Sequence, residues 1–526
     1  MATQPVLIDG QWRESQQVGT FQVDNPTTKS PLPDVFPVSS WEDCDAALNA
    51  AVAAFEQLRH LPGARIAEFL NRMADLIDEN KQTLCEIAHQ ETALPLSPRL
   101  MDAELPRTSN QLRLAAQAAA EGSWKSATID SANNIRSYYA PIGPVWVFGP
   151  NNFPFAFNSA SGGDFAAAIA AGNPVIAKAN SSQPATTREM AKLAQQAAHE
   201  VGLPPATVQC IYRTKHEDGE RLVADPRTEA IGYTGSRGAG LKLKEAADKV
   251  GTPIYLELSS VNPVIILPGA LKERGGDLAK EFQGSCLMGS GQFCTNPGMV
   301  VLLAGAETDQ FVEMVKEGFA TAPVGTLLSA SVEKNLAHSI EVIKQGGATE
   351  LAGGSAGAGT GYSHANTLLS VPARKYLEDP ELFQTEAFGN SSLLVIADDI
   401  DQVVQVVNSL EGNLTGSLYT DTRGSDDAAY ATIAPHLRQK VGRLINDKMP
   451  TGVAVSAAMN HGGPFPATGH PGFTAVGIPA AIHRFAMLQS FDGVRLDRLP
   501  AELQNKNPTG QTWRWIDGTW TQADAS

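Results

Sequence analysis

Pro141-Ile-Gly-Pro-Val-Trp-Val-Phe-Gly149 is the stretch on which the fold turns. It is a strand-like apolar run closed by Gly149 and Pro150. Downstream the pattern alternates. Asn173 to Lys178 reads as a short buried strand, and Thr186 to Val201 as a helix stopped by Gly202 and Pro204. Thr207 to Tyr212 reads as a strand, Glu220 to Ala224 as a short helix, and Ala230 to Tyr233 as a strand. Gly235-Ser-Arg-Gly-Ala-Gly240 then opens a helix, and Ile254 to Leu258 is a further strand. Strands separated by helices of this length predict a parallel sheet with right-handed crossovers. Such sheets bind ligands at the carboxyl ends of their strands. Chemistry is therefore sought in the loops that follow them.

Outward from this core, Ile66, Phe69, Leu70, Met73, Leu76 and Ile77 fall at helical spacing on one apolar face. Beyond Pro263 the alternation resumes. Val300 to Leu303 and Ser391 to Ile396 read as strands, and Asp309 to Phe319 and Ile400 to Ser409 as helices, which predicts a second α/β domain. A chain of 526 residues is too long for one core. The tail from Asn505 to Ser526 carries Trp513, Trp515 and Trp520, too aromatic for a free tail, and is expected to pack on the body or on a partner subunit.

The formal net charge of −16 argues against nucleic acid and anionic lipid as partners, though ordinary solubility is the better reading of it. Met1 to Gly10 lacks the basic start and apolar core of a secretory signal, and no run of roughly 18 apolar residues occurs. The expectation is a soluble, cytoplasmic protein without a membrane partner. Five cysteines with no C-x-x-C pair argue against both a disulfide framework and a structural zinc site, and no metal site is read from the sequence.

Three positions are candidates for chemistry. Cys294 lies in Gly289-Ser-Gly-Gln-Phe-Cys-Thr-Asn-Pro-Gly298, where glycine lets the backbone approach a ligand. Backbone amides aimed at its sulfur would favour the thiolate. A cysteine in a tight turn is the bland alternative. Glu257 ends an apolar strand, where burial would suit a general base. A hydrogen-bonded structural Glu is equally ordinary there. Asn152 follows the first strand in Pro150-Asn-Asn-Phe-Pro154, and its amide can donate to a developing oxyanion. Turn chemistry also explains it. Together, thiol, carboxylate and amide on a nucleotide-type α/β sheet are the parts that covalent aldehyde oxidation needs.

With these pieces in view, the sequence resembles the aldehyde dehydrogenase superfamily over nearly its whole length. The matching pieces are Pro141-Ile-Gly-Pro-Val145, Asn152-Phe-Pro154, Gly172-Asn-Pro-Val175 with Lys178, Tyr233-Thr-Gly-Ser236, Glu257-Leu258, Gly291-Gln-Phe-Cys294 and Glu386-Ala-Phe-Gly389. The resemblance implies two parallel-sheet α/β domains plus a small β oligomerisation element. A dinucleotide-binding domain would cover 1–124 and 141–260, a catalytic domain 261–484, the oligomerisation element 125–140 and 485–497, and a C-terminal extension 498–526. It implies a homodimer or homotetramer acting on a small-molecule aldehyde. It also implies that Cys294 attacks the aldehyde, that Asn152 and the Cys294 backbone N–H hold the oxyanion, and that Glu257 activates the water that hydrolyses the thioester.

By the same resemblance Lys178 reaches the adenosine ribose, Ser236 caps the helix that faces the pyrophosphate, and Gly235 and Gly240 form a loose glycine pair there. Glu386 holds the nicotinamide ribose and Phe388 packs near the nicotinamide. Where NAD users of the family carry a glutamate, this chain has Ser181, and Arg213 follows the next strand. Loss of the carboxylate and gain of a cation point to NADP, with NAD also compatible. Glu257-Leu-Ser-Ser-Val-Asn-Pro263, Cys294-Thr-Asn-Pro-Gly298, Phe153-Pro-Phe-Ala-Phe157, Ser161-Gly-Gly-Asp164 and His461-Gly-Gly-Pro-Phe-Pro-Ala-Thr468 resemble the α-ketoglutaric semialdehyde (2,5-dioxopentanoate) dehydrogenase branch, related to NADP-dependent fatty aldehyde dehydrogenases.

A carboxylate-bearing substrate needs a cation or several donors, and Arg107 and Arg113 are the candidates, although salt bridges explain them equally. Phe155, Phe157, Phe293 and Phe465 would instead line an apolar tunnel for a medium- or long-chain aldehyde, or simply be core. A non-catalytic relative would not need Cys294, Glu257 and Asn152 together. A thiol acyltransferase or hydrolase would need a histidine near Cys294, and none lies in the matched segments.

Overall fold

The computed structural model describes residues 3–526. Five parallel strands run inward from one edge of a seven-stranded sheet, in the spatial order Ile254–Glu257, Ala230–Thr234, Val145–Phe148, Val175–Lys178, Val208–Ile211. Val6–Ile8 and Gln11–Arg13 complete the far edge in antiparallel pairing. Val145–Phe148 starts the chain's path, which runs to one side through residues 175–211 and then jumps back to the other. The switch point thus falls at the carboxyl end of Val145–Phe148, where α/β sheets bind ligands. These strands are nearly all buried, as parallel strands covered on both faces must be.

Helix Gly63–Glu79 buries Ile66, Phe69, Leu70, Met73, Leu76 and Ile77, the face its periodicity predicts. Helix Leu105–Glu121 packs along it and carries Arg107 towards the end of the sheet. The helix expected around residues 220–224 begins earlier and spans His216–Val223.

A second seven-stranded sheet has the order Thr349–Ala352, Thr367–Pro372, Ser391–Ala397, Met299–Leu303, Val264–Ile266, Asn413–Tyr419, Val441–Asn446, all parallel except the first strand. In a third sheet Ala486–Asp492 pairs with Ile135–Pro141, which pairs on its other side with Thr128–Asp130. The tail continues this sheet. Arg514–Ile516 runs parallel to Thr128–Asp130 and hairpins back through Thr519–Thr521. The tryptophan-rich tail therefore packs on its own chain. Among the described residues no helix is long and apolar enough to cross a membrane.

Candidate active site

Cys294 follows the helix Pro268–Leu287 and a tight turn through Gly289, Ser290 and Gly291, all in the left-handed region. Gly291 has φ +68°, and a Cβ there would stand 2.0 Å from the Gly389 carbonyl oxygen, so only glycine fits. Asn262 fixes the loop from behind, its Nδ2 donating to the carbonyls of Cys294 and Asn296, both at 2.9 Å. Its own Oδ1 accepts from Ser260 and Thr415. That role explains the asparagine in the departure Leu-Ser-Ser-Val-Asn-Pro.

Glu257 is the last residue of its strand and is buried. The segment after His461 is stitched to this strand end. Leu258 N–H donates to the Ala467 carbonyl at 2.8 Å, and Gly469 N–H to that of Leu256 at 2.9 Å. The stitching brings His461 into the site. Its Nε2 lies 3.4 Å from Cys294 Sγ and 3.0 Å from Glu257 Oε1. The second carboxylate oxygen of Glu257 is buried without a partner.

Asn152 sits in the loop after Val145–Phe148. Its Nδ2 donates to the Gln292 carbonyl in the cysteine loop at 3.0 Å. Arg99 donates to the Asn152 carbonyl at 3.0 Å and pairs with the buried Glu104. Glu104 in turn accepts the N–H groups of Phe155 and Ala156 at 2.8 and 3.0 Å. Both loops are thus held by their own hydrogen bonds.

Burial and then the neighbouring Glu257 push the Cys294 thiol well above its usual range. Backbone amides do not set the thiol here; burial comes first and the facing carboxylate second. The site needs a base to generate thiolate, and His461 and Glu257 are in contact with it. A histidine thus does accompany the cysteine, contrary to the expectation that set a thiol acyltransferase aside. His461 was visible only as part of a distinctive segment, since 167 residues separate it from Cys294.

Two adjoining cavities, of about 1030 and 420 Å³, share walls at Pro150, Asn151, Thr234, Gly235 and Ser236. Lys178, Ser181 and Arg213 line the larger, and Asn152, Glu257, Cys294, Glu386 and Phe388 the smaller. Ser236 occupies the N-cap of helix Arg237–Asp248, but its side chain makes no cap bond, which leaves first-turn amides open towards the cavities. Gly240 does not line them. It is buried where a Cβ would meet Leu258 at 2.5 Å and Tyr233 at 2.9 Å, so it lets the helix lie close on the sheet. Burial and then Arg213 bring Lys178 down to about 8. Burial pushes Glu386 up to about 7 against bonds from Ser260 and Ser259.

The substrate candidates separate. The Arg107 guanidinium lies 5.6 and 5.3 Å from the ring centres of Phe153 and Phe157, with two buried nitrogens lacking any partner. Burial disfavours its charge, while Glu104, Cys294 and Glu257 favour it. Arg113 instead pairs with Asp75 and Asp78 on the outer helix face. Phe155 is fully buried in the core beneath the loop, and Phe465 is 59% exposed at the surface. Phe293 and Phe157 pack on Phe153 at 5.5 and 5.3 Å, a filled cluster rather than a tunnel wall. Arg443, which sequence reasoning did not single out, has an unpartnered buried Nε and lies within electrostatic reach of Cys294.

The model of the aldehyde dehydrogenase family matches residues 12–463, a span that includes Asn152, Glu257, Cys294 and His461. An α-ketoglutaric semialdehyde dehydrogenase 2 of Azospirillum brasilense is 37% identical over 93% of this chain and 94% of its own. An α-ketoglutaric semialdehyde dehydrogenase of Acinetobacter baylyi is 34% identical over 98% of both. A Thermus 1-pyrroline-5-carboxylate dehydrogenase structure with bound NAD superposes with a TM-score of 0.79, at 23% identity, over 93% of this chain and 92% of its own. On the match to its family model and to these two relatives along nearly the whole chain, this protein belongs to the aldehyde dehydrogenase family.

Proposed function

We propose that the protein oxidises 2,5-dioxopentanoate to 2-oxoglutarate with NADP. Arg107 is the observation that carries the substrate. A buried guanidinium with unpartnered N–H groups, within electrostatic reach of Cys294, is costly unless a ligand carboxylate completes it. The two relatives named above support the same substrate. A fatty aldehyde offers Arg107 nothing, and the phenylalanines expected to form its tunnel are packed against one another or lie elsewhere.

The residues fit a dinucleotide. The larger cavity offers Lys178, Arg213, Lys215 and Lys242 against the single carboxylate of Glu220, and Ser181 places a hydroxyl where a glutamate would repel a 2′-phosphate. The open N-terminus of helix Arg237–Asp248 suits the pyrophosphate. Glu386 and Phe388 would hold the nicotinamide end.

In this reading His461 takes the Cys294 proton, and the thiolate attacks the aldehyde carbon. Asn152 and the Cys294 N–H hold the oxyanion. A bound nicotinamide supplies the hydride acceptor that leaves an acyl thioester. Glu257, with His461 beside it, then deprotonates the hydrolytic water. The cofactor cavities favour this oxidation over redox-free acyl transfer. Exposed Ile135, Met487, Leu488 and Trp513 on and beside the third sheet support assembly as a homodimer or homotetramer. Five unpaired cysteines support a reducing, cytoplasmic setting.

The test compares kcat/KM for 2,5-dioxopentanoate and decanal, each with NADP and NAD. The dioxo acid with NADP should win. Arg107→Leu should lose about 10- to 100-fold on the dioxo acid alone, the worth of a charged hydrogen bond. Ser181→Glu should shift preference towards NAD. Equal losses on both aldehydes would remove Arg107 from recognition.

A further inference from the structure

We propose that Cys294, His461 and Glu257 also form a zinc site, through which Zn²⁺ reversibly blocks the enzyme. Their donor atoms all lie within 4.8 Å of one another. Two ligands of a tetrahedral zinc, at bond lengths of about 2.0–2.3 Å, stand roughly 3.3–3.6 Å apart. Sγ to Nε2 is 3.4 Å, Nε2 to Oε1 is 3.0 Å and Sγ lies within 4.8 Å of the carboxylate, so side-chain shifts of about 1 Å suffice. The second oxygen of Glu257 is a buried acceptor with no partner, an independent sign that something cationic or donating belongs there.

Ligand chemistry selects the ion. Thiolate, imidazole and carboxylate suit zinc, whereas magnesium and calcium require oxygen donors. Three protein ligands leave a fourth position facing the 420 Å³ cavity, through which the ion enters and where water completes the tetrahedron. Binding releases the Cys294 proton. The thiolate and the Glu257 carboxylate then neutralise the divalent charge, which favours the complex in a buried site. Arg107 and Arg443 oppose the ion, and Glu386 favours it. The three ligands come from positions 257, 294 and 461, far wider apart than the short ligand spacings of structural zinc motifs.

Metal binding rests on geometry alone, and only its inhibitory effect rests on Cys294 being the nucleophile. Chelator-treated full-length enzyme is titrated with CoCl₂. Wild type should show a near-ultraviolet thiolate-to-cobalt charge-transfer band with the strong visible bands of four-coordinate cobalt. Cys294→Ala should remove the charge-transfer band. His461→Gln and Glu257→Gln, shown folded by circular dichroism, should weaken cobalt binding about tenfold or more. ZnCl₂ should displace the cobalt and stop turnover, and EDTA should restore it. No charge-transfer band in folded wild type, or a band that survives Cys294→Ala, overturns the proposal. An active dehydrogenase without the band sinks the zinc site alone. A band on an enzyme that does not oxidise the dioxo acid sinks the proposed function alone.

Discussion

Cys294 sits in surroundings that disfavour its own reactive form, since burial and the Glu257 carboxylate both hold the proton on sulfur. The contact with His461 answers this, and it makes two residue-scale predictions. His461→Gln should lower the rate of the first NADPH burst and shift its pH dependence, whereas a purely structural histidine would change amplitude without moving the pH profile. Glu257→Gln should keep the burst but lower steady turnover by about 10²–10⁴-fold. An unchanged steady rate would remove Glu257 from deacylation. Cofactor affinity in the free enzyme should be bell-shaped in pH. Glu386, at about 7, must lose its proton to accept ribose hydroxyls, so affinity rises as pH climbs through 7. Lys178, at about 8, loses its charge above that value, so affinity falls again. Calorimetric titration with NADP should find each limb, and Glu386→Gln and Lys178→Met should erase the acid and alkaline limbs respectively.

Among the elements, the cysteine loop is the least tolerant. Gly291 combines a left-handed backbone with a carbonyl where a side chain would go, and backbone cannot yield as a side-chain tip can. Gly291→Ala should cost about 2–5 kcal/mol, summing left-handed strain and overpacking, and should cut kcat with it. Thermal melts alongside turnover would check this, and a wild-type melt would mean that the loop is not held as described. The segment from His461 to Gly469 follows the same logic. Its bonds to Leu256 and Leu258 place the histidine, so the element acts through its backbone pairing.

For the whole molecule, the tail closes the third sheet. Arg514 is fully buried and donates to the carbonyls of Gln504, Asn505 and Ala523. Trp515 packs on Trp520 with ring centres 5.5 Å apart. Deleting residues 505–526 bares the edge of Thr128–Asp130 beside the exposed apolar groups of that sheet. The truncated protein should melt roughly 5 °C lower or more and should associate differently on size-exclusion chromatography with light scattering. An unchanged melt and mass would make the tail dispensable.

The sequence by itself determined the parallel sheets, because strand and helix periodicities are local and the alternation near Pro141 repeats through residue 258. It also placed Cys294, Glu257 and Asn152 at strand ends and in loops, where local residue chemistry is readable. Only the tertiary structure decided which distant side chains meet. It brought in His461 and Arg443, buried Arg107 against Phe153 and Phe157, and sent Arg113 to a surface salt bridge. It buried Phe155, exposed Phe465 and turned Gly240 from a ligand contact into a packing position. Those outcomes depend on pairings across tens to hundreds of residues, set by sheet order and backbone stitching, and no local pattern encodes them.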